Sequence, residues 1–257
     1  MAAPVAKPST AMATDDLRVP AGGAWITEAR ENALTRLRSM GLPQRRDEYW
    51  TFTRPDSLTQ AEAPQAALFD DADEPEMFGT FDRVRLVFVD GVFDAEASDA
   101  PELAGVRIER LADMAAQDLH WARETYGTLE ARGQAPVPRP LAALNTAQAQ
   151  DGVLIHVTGQ AERPINLIYR QTSERSDAHL HNVVRLDAGA ALTVLENGPG
   201  AARFNTVLEV DIADGAQFHH VRVQGRDHER RAATHLFARL GAQSELKSFT
   251  LTANGVL

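Results

Sequence analysis

A repeat in the second half of the chain constrains the fold more than any other feature. Gly189-Ala190, Gly215-Ala216 and Gly241-Ala242 follow one another at intervals of twenty-six residues. A β-rich segment precedes each of these pairs, with two apolar residues spaced two apart so that they share one strand face. These residues are Val184 and Leu186, Val210 and Ile212, and Leu236 and Ala238. A unit this short cannot bury its apolar face alone, so successive units are expected to stack.

The repeat therefore predicts a parallel β-helix over residues 151–257. An antiparallel sandwich or a cupin-like jelly roll also contains many short strands, but the constant interval favours the solenoid. The predicted fold class is mainly β, with the β-helix preceded by an α-helical and mixed α+β N-terminal domain.

The first 150 residues carry a different pattern. Residues 1–20 are rich in Ala, Pro, Ser and Thr and predict a disordered tail. Residues 21–150 predict an N-terminal domain of helices and a β-hairpin. Its elements are a helix from about Ala24 that ends at Gly41, a hairpin over 83–93 with an Asp90-Gly91 turn, a strand over 106–108, and helices over 111–126 and 141–147.

Charge and cysteine content exclude several classes of protein. Asp and Glu number 36 against 26 Lys and Arg, a net charge of -10, which argues against nucleic acid or an anionic membrane as partner. The absence of cysteine excludes disulfides, thiolate metal sites and a cysteine nucleophile within these residues. No apolar run is long enough to span a bilayer, and the first twenty residues lack the apolar core of a signal peptide. The predicted location is cytoplasmic.

Histidines cluster in the second half and raise the question of a metal. They are His156, His179, His181, His219, His220, His228 and His235. His179 and His181 are spaced to share one strand face, as two metal ligands would be. A cupin-like site would place a carboxylate four or five residues later, where Arg185 and Leu186 stand. We therefore favour a loop or strand-edge pair over a metal site.

Other candidate groups also fall short of an active site. His219 and His220 are adjacent on a strand, so one is expected in the core and one in solvent. Glu196, Glu209 and Asp211 are available as acids or bases, but no pattern places two carboxylates in one cleft. No phosphate-binding loop or Gly-x-Ser-x-Gly motif is present. The sequence predicts no catalytic, cofactor-binding or metal-binding residue, which favours a scaffold over a metal-dependent or carbohydrate-active β-fold enzyme.

Several segments resemble the SufB/SufD family of the SUF iron–sulfur cluster assembly system, and its SufD branch more closely. Residues 46–53 read R-D-E-Y-W-T-F-T and resemble the family segment R-x-E-x-W-x-Y-T. Residues 86–93 read L-V-F-V-D-G-V-F and resemble its L-V-F-V-D-G-x-F hairpin. Residues 141–147 and 151–157 resemble its L-N-T-A and D-G-x-x-I-x-V segments, and 218–224 and 248–251 resemble its β-helix rungs. The likeness runs from about Ala24 to the end.

This resemblance implies a right-handed parallel β-helix and a non-catalytic scaffold subunit of the SufBCD complex. Its implied partners are a SufB-like subunit and a SufC-like ATPase, with a homodimer through the β-helix as a further possibility. No cofactor is expected on this chain, since the Fe–S cluster belongs to the full complex. Family members continue beyond the position of Leu257, and the Cys and His implicated in cluster assembly lie there. The resemblance therefore also predicts a chain truncated on its C-terminal side.

Overall fold

Two six-stranded sheets form the body of the protein in the computed structural model, which describes residues 10–68, 76–198, 200–224 and 231–252. The helices are α1 (Ala24–Met40), α2 (Asp56–Thr59), α3 (Leu111–Met114), α4 (Thr128–Arg132) and α5 (Pro140–Gln148), with short 3-10 helices at Glu48–Trp50 and Trp121–Glu124. The strands are β1 (Val84–Val89), β2 (Val92–Asp94), β3 (Glu102–Leu103), β4 (Val106–Arg110), β5 (Val153–Val157), β6 (Ile165–Arg170), β7 (Asp177–Leu186), β8 (Ala191–Asn197), β9 (Arg203–Ile212), β10 (Gln217–Gln224), β11 (Arg231–Leu240) and β12 (Glu245–Thr252).

The second half of the chain is a parallel β-solenoid, as the repeat predicts. Strands alternate between the sheets, so that β5, β7, β9 and β11 stack in the first sheet and β6, β8, β10 and β12 in the second. Every pairing among these eight strands is parallel. A jelly roll would pair its strands antiparallel, so the mainly β, solenoid prediction is confirmed.

The interior of the solenoid is an apolar stack built by strand alternation. The predicted inward residues Val184, Leu186, Val210 and Ile212 are all at most 1% exposed and belong to one core cluster. Leu236 and Ala238 are partly buried against the same cluster. Each strand contributes every second residue to this core, so the stack of turns buries what one turn could not.

The spacing of the turns differs from the predicted constant interval. Between the second and third turns Ala191 pairs with Gln217, which is twenty-six residues later. In the next turn Gln217 pairs with Glu245, twenty-eight residues later. The left-handed corner position, held by Gly189 (φ 71°) and Gly215 (φ 67°), passes to Gln243 (φ 55°). The Gly-Ala repeat at 241 is therefore two residues out of structural register, and because two is the side-chain period of a strand, the inward face is preserved.

Strands from the N-terminal region continue both sheets beyond the first turn. β1 pairs in parallel with β6, and the predicted hairpin joins β1 to β2 through Asp90-Gly91. In the other sheet β4 pairs antiparallel with β5, and β3 pairs antiparallel with β4. Both sheets therefore take strands from either side of residue 150, and the division into domains 21–150 and 151–257 stays a prediction.

Helices cover the outer face of the first sheet. α1 packs on α5, α5 packs on β7 and β9, and α4 packs on β9 and β11. α1 begins at Ala24 and ends before Gly41, as predicted. Within the described residues no helix is long and apolar enough to cross a membrane.

Two N-terminal segments differ from the sequence expectation. The single helix predicted over 111–126 is broken, because the carbonyls of Met114 and Ala115 accept from Trp25 Nε1 (3.1 Å) and from the Gly23 amide (2.6 Å). Residues 10–20, assigned to a disordered tail, lie against the helical layer, where Leu17 and Val19 pack beside α1. Residues 1–9 of that predicted tail fall outside the described residues.

Candidate functional site

A buried group of polar side chains lies inside the solenoid, on the second sheet. This lumen cluster consists of Tyr169, Glu196, His220 and Arg222, which are 1–7% exposed. Each occupies an inward position of β6, β8 or β10, in the same phase as the apolar residues around it. Glu196 and Arg222 are register partners on neighbouring strands.

Glu196 is the hub of the lumen cluster. Its Oε1 lies 3.2 Å from His220 Nε2, and its Oε2 lies 3.2 Å from an Arg222 nitrogen. The other ring nitrogen of His220, Nδ1, lies 3.1 Å from Ser248 Oγ on β12. The cluster therefore links three successive strands through side chains as well as through the backbone ladder.

The surroundings of the cluster fix the ionisation states of Glu196 and Tyr169. Burial alone would raise the pKa of Glu196, but Arg222 and His220 lower that pKa to about 2. Burial raises the pKa of the Tyr169 hydroxyl well above its usual value. Glu196 is thus ionised and Tyr169 protonated at neutral pH, so neither is poised to exchange a proton with a substrate.

The space beside the lumen cluster is too small for a substrate. The adjoining cavity, between Tyr169, Glu196 and Arg222, has a volume of about 10 Å³. A single water needs about 10–15 Å³ measured in this way. The arrangement is therefore a compensated set of internal charges rather than an open active site.

A second polar group, the outer cluster, joins the first sheet to the helices. His181 and Glu209 are both fully buried, with His181 Nε2 2.8 Å from Glu209 Oε2. The Glu209 carboxylate also accepts from the amides of Gly127 (2.6 Å) and Glu130 (2.7 Å). These amides belong to the N-terminal end of α4, whose unpaired donors favour an anion. Tyr126 packs on His181 with ring centroids 4.1 Å apart.

The histidine pair at 179 and 181 shares one strand face, as the sequence predicts, but its members have different partners. His179 lies 3.6 Å from Asp177, while His181 is bound to Glu209. Within the described ranges no group of three His, Asp or Glu residues is arranged to hold a metal ion. His228 falls outside those ranges.

The adjacent pair His219 and His220 divides as expected. The side chain of His220 is 4% exposed, whereas that of His219 is 38% exposed and lies 2.8 Å from Glu245. His156 is likewise partly exposed and lies 2.9 Å from Asp187.

The three candidate carboxylates, Glu196, Glu209 and Asp211, do not face one common site. Glu196 points into the lumen, whereas Glu209 and Asp211 are on the outer face of the first sheet. Asp211 pairs with Arg239 in the next strand. The sequence reasoning missed Arg222, although its spacing of twenty-six residues from Glu196, at inward positions of the repeat, was a readable signal.

Two family models match consecutive parts of the chain. The SufBD protein N-terminal region matches residues 21–167, and the SUF system FeS cluster assembly SufBD core domain matches residues 169–257. The first covers the helical layer and the strands that begin both sheets, and the second covers the later turns of the solenoid. A search of curated proteins finds no match. The chain belongs to the SufB/SufD family, whose role lies in iron–sulfur cluster assembly by the SUF system.

Proposed function

We propose that this protein is a SufD-like, non-catalytic scaffold subunit of a SufBCD-type complex that assembles and transfers iron–sulfur clusters. The observation that carries the proposal is the match of both family regions, in order, over residues 21–167 and 169–257. The SufD-like assignment rests on the segments at 46–53, 86–93 and 218–224.

The non-catalytic part of the proposal is supported by the state of the buried charges. Glu196 is held ionised by its neighbours, and Glu209 is occupied by His181 and two backbone amides. Both carboxylates are therefore committed to bonds within the fold. The alternative of a carbohydrate-active enzyme requires two carboxylates facing one sugar, and these two lie on different sheets.

The iron–sulfur cluster is cargo in this proposal, held by the assembled complex and not by this cysteine-free chain alone. The proposed partners are a SufB-like subunit and a SufC-like ATPase, and the proposed location is the cytoplasm. Association of the β-helix with a SufB-like subunit, or with a second copy of this chain, through strand pairing is part of the proposal.

Co-purification tests the proposal. The chain, tagged and produced from its own gene at its normal level, is expected to retain SufB-like and SufC-like proteins of the same cell through affinity and size-exclusion steps. A tagged solenoid protein of unrelated family serves as the control. Recovery of the chain alone, from cells in which the SufB-like and SufC-like proteins co-purify with each other, would refute the scaffold role.

A further inference from the structure

A pocket lies at the end of the solenoid that carries the N-terminal strands, beside the loop that joins β2 to β3. Its volume is about 540 Å³, which is within the range of pockets that hold small molecules. β1, β2, β4, β5, α3 and the loop all contribute to its lining. We call it the mouth pocket and define it by Leu86, Phe93, Asp99, Ile108, Asp113 and Met114.

The floor of the mouth pocket is apolar. Leu86 and Val153 are 1% and 2% exposed and belong to the solenoid core, and Phe93 and Ile108 pack on that core. Met114 of α3 adds an adaptable thioether to the lining. A concave surface of this kind favours a ligand with an apolar body.

The wall of the mouth pocket formed by residues 95–101 is held in place by hydrogen bonds to β1. Ser98 Oγ accepts from the Val87 amide at 2.8 Å. The Asp99 carboxylate accepts from the amide and from the guanidinium of Arg85, both at 2.8 Å. The pocket is therefore formed before any ligand binds, which lowers the entropic cost of binding.

The other charged groups of the lining differ in how firmly they are paired. Arg110 is held by Asp151 at 2.8 Å, and Glu109 by Arg107 at 2.6 Å. The side chain of Asp113 is 60% exposed, and its ion pair with Arg110 spans 3.8 Å. Asp113 is thus the lining carboxylate most available to a ligand, and charge complementarity favours a cationic head group.

We propose that the mouth pocket binds a small primary amine with an apolar body, which lies on Leu86, Phe93 and Ile108 while its ammonium group pairs with Asp113. Burial of the apolar body supplies most of the affinity, because an ion pair with an exposed carboxylate contributes little. The ammonium group supplies the preference for a cation. The inference goes beyond the proposed function and does not rest on it, because the ligand is identified by its chemistry.

Three matched compounds test the binding. Phenylbutylamine, phenylbutanol and phenylbutyrate share one apolar body and differ in the charge of the head group. Isothermal titration calorimetry should give the amine a dissociation constant of about 1 mM or lower. The amine is expected to bind about threefold to fivefold more tightly than the alcohol, and the carboxylate more weakly than either. The advantage of the amine should shrink at high salt.

Methionine methyl groups report where the amine binds. The chain contains five methionines, and Met114 lines the mouth pocket, whereas Met12 and Met40 pack in a different cluster. In protein labelled with carbon-13 at the methionine methyls, the amine should shift the Met114 signal and leave those of Met12 and Met40 in place. Met114→Leu assigns the signal.

Variants separate the apolar and charged contributions. Ala100→Trp places an indole at an exposed lining position and should weaken all three compounds by about tenfold, whereas Ala61→Trp, at an exposed position outside the lining, should not. Asp113→Asn should make the amine bind no more tightly than the alcohol. Asp118→Asn removes an exposed carboxylate outside the lining and should preserve the preference. Circular dichroism and the urea midpoint check that each variant folds.

Several results would overturn the inference. An amine that shows no binding at about 10 mM would refute the pocket as a ligand site. An unmoved Met114 signal, or unchanged affinity in Ala100→Trp, would place the binding elsewhere. Equal affinity for the amine and the alcohol in the unmodified protein, or an equal loss of preference in Asp113→Asn and Asp118→Asn, would remove the pairing with Asp113.

Discussion

At the residue scale, Glu196 compensates one buried cation, Arg222, and also contacts the buried His220. Its carboxylate contacts Arg222 and His220, each at 3.2 Å, within the apolar lumen. Removing one partner of a buried ion pair is costly, because the remaining charge is left without compensation. The stability of the solenoid is therefore expected to depend strongly on this one carboxylate.

The variant Glu196→Ala should lower the free energy of unfolding by about 3 kcal/mol or more. The measurement is urea denaturation followed by circular dichroism. Glu245→Gln is the matched control, because Glu245 also pairs with a histidine, His219, but at the surface. Its urea midpoint should stay at the wild-type value, and a Glu196→Ala midpoint equally unchanged would contradict the account of the lumen.

His235 links stability to pH. Burial and the nearby charges of Arg139 and Arg222 together lower its pKa to about 4, although a hydrogen bond with the Thr206 backbone acts in the opposite direction. The unfolded chain, with a histidine pKa near 6.5, binds the proton more readily than the folded one. Its contribution to stability is therefore complete above about pH 6.5 and is lost as pH falls toward 4.

Measured stability should fall between about pH 6.5 and pH 4, and His235→Gln should remove about 1 to 3 kcal/mol of that fall. Burial also lowers the pKa values of His120 and His179, so part of the slope should remain in the variant. Urea titrations at several pH values provide the comparison. A wild-type slope retained in full by His235→Gln would show that this histidine is not the titrating group.

At the element scale, the corners of the solenoid define the register. Gly189, Gly215 and Gln243 occupy the left-handed corner, and Gly241 does not. A Cβ at Gly215 would meet no atom within 4 Å, whereas one at Gly241 would lie 2.5 Å from Asp214 Oδ1 and 2.7 Å from its amide. Glycine is needed at 215 for its backbone conformation and at 241 for close approach.

These two requirements predict different effects of substitution. Gln243→Gly should raise the free energy of unfolding by about 0.5 to 1 kcal/mol by relieving a left-handed non-glycine residue. Gly215→Ala should lower it by about 1 kcal/mol, and Gly241→Ala by about 2 kcal/mol through the clash. Thermal and urea unfolding measure all three. A destabilising Gln243→Gly would instead support the constant interval of twenty-six residues.

The same elements show what the sequence could reveal and what it could not. The helix α1, the hairpin at Asp90-Gly91 and the inward stack follow from local periodicity and turn chemistry, and the structure contains them. The break in the helix predicted over 111–126 depends on hydrogen bonds from Gly23 and Trp25, which are remote in sequence. The two-residue shift at the last corner depends on strand pairing, which the repeated Gly-Ala at 241 conceals.

The contacts of the candidate site could likewise be predicted from the sequence only in part. Sequence spacing placed His179 and His181 on one face and separated His219 from His220, because both follow from strand alternation. The pairing of His181 with Glu209 depends on the position of α4, whose amides fix the carboxylate. Interactions between layers are set by the packing of elements, so no local pattern carries them.

At the scale of the whole molecule, a helical layer and a solenoid share one folded body through buried charges. The outer cluster ties α4 to the first sheet, and the N-terminal strands continue both sheets. Within this body the buried carboxylates of Glu196 and Glu209 are both engaged by internal partners. This engagement supports the non-catalytic role that we propose for the protein.

The most direct test of the central claim is the maturation of iron–sulfur enzymes in living cells. The activity of an endogenous [4Fe–4S] dehydratase is measured after depletion of this protein, with depletion of the SufB-like protein as the reference. Both depletions should lower the activity to a similar extent, and the restored gene should recover it. Full dehydratase activity without this protein, in cells where loss of the SufB-like protein abolishes that activity, would contradict its role in cluster assembly.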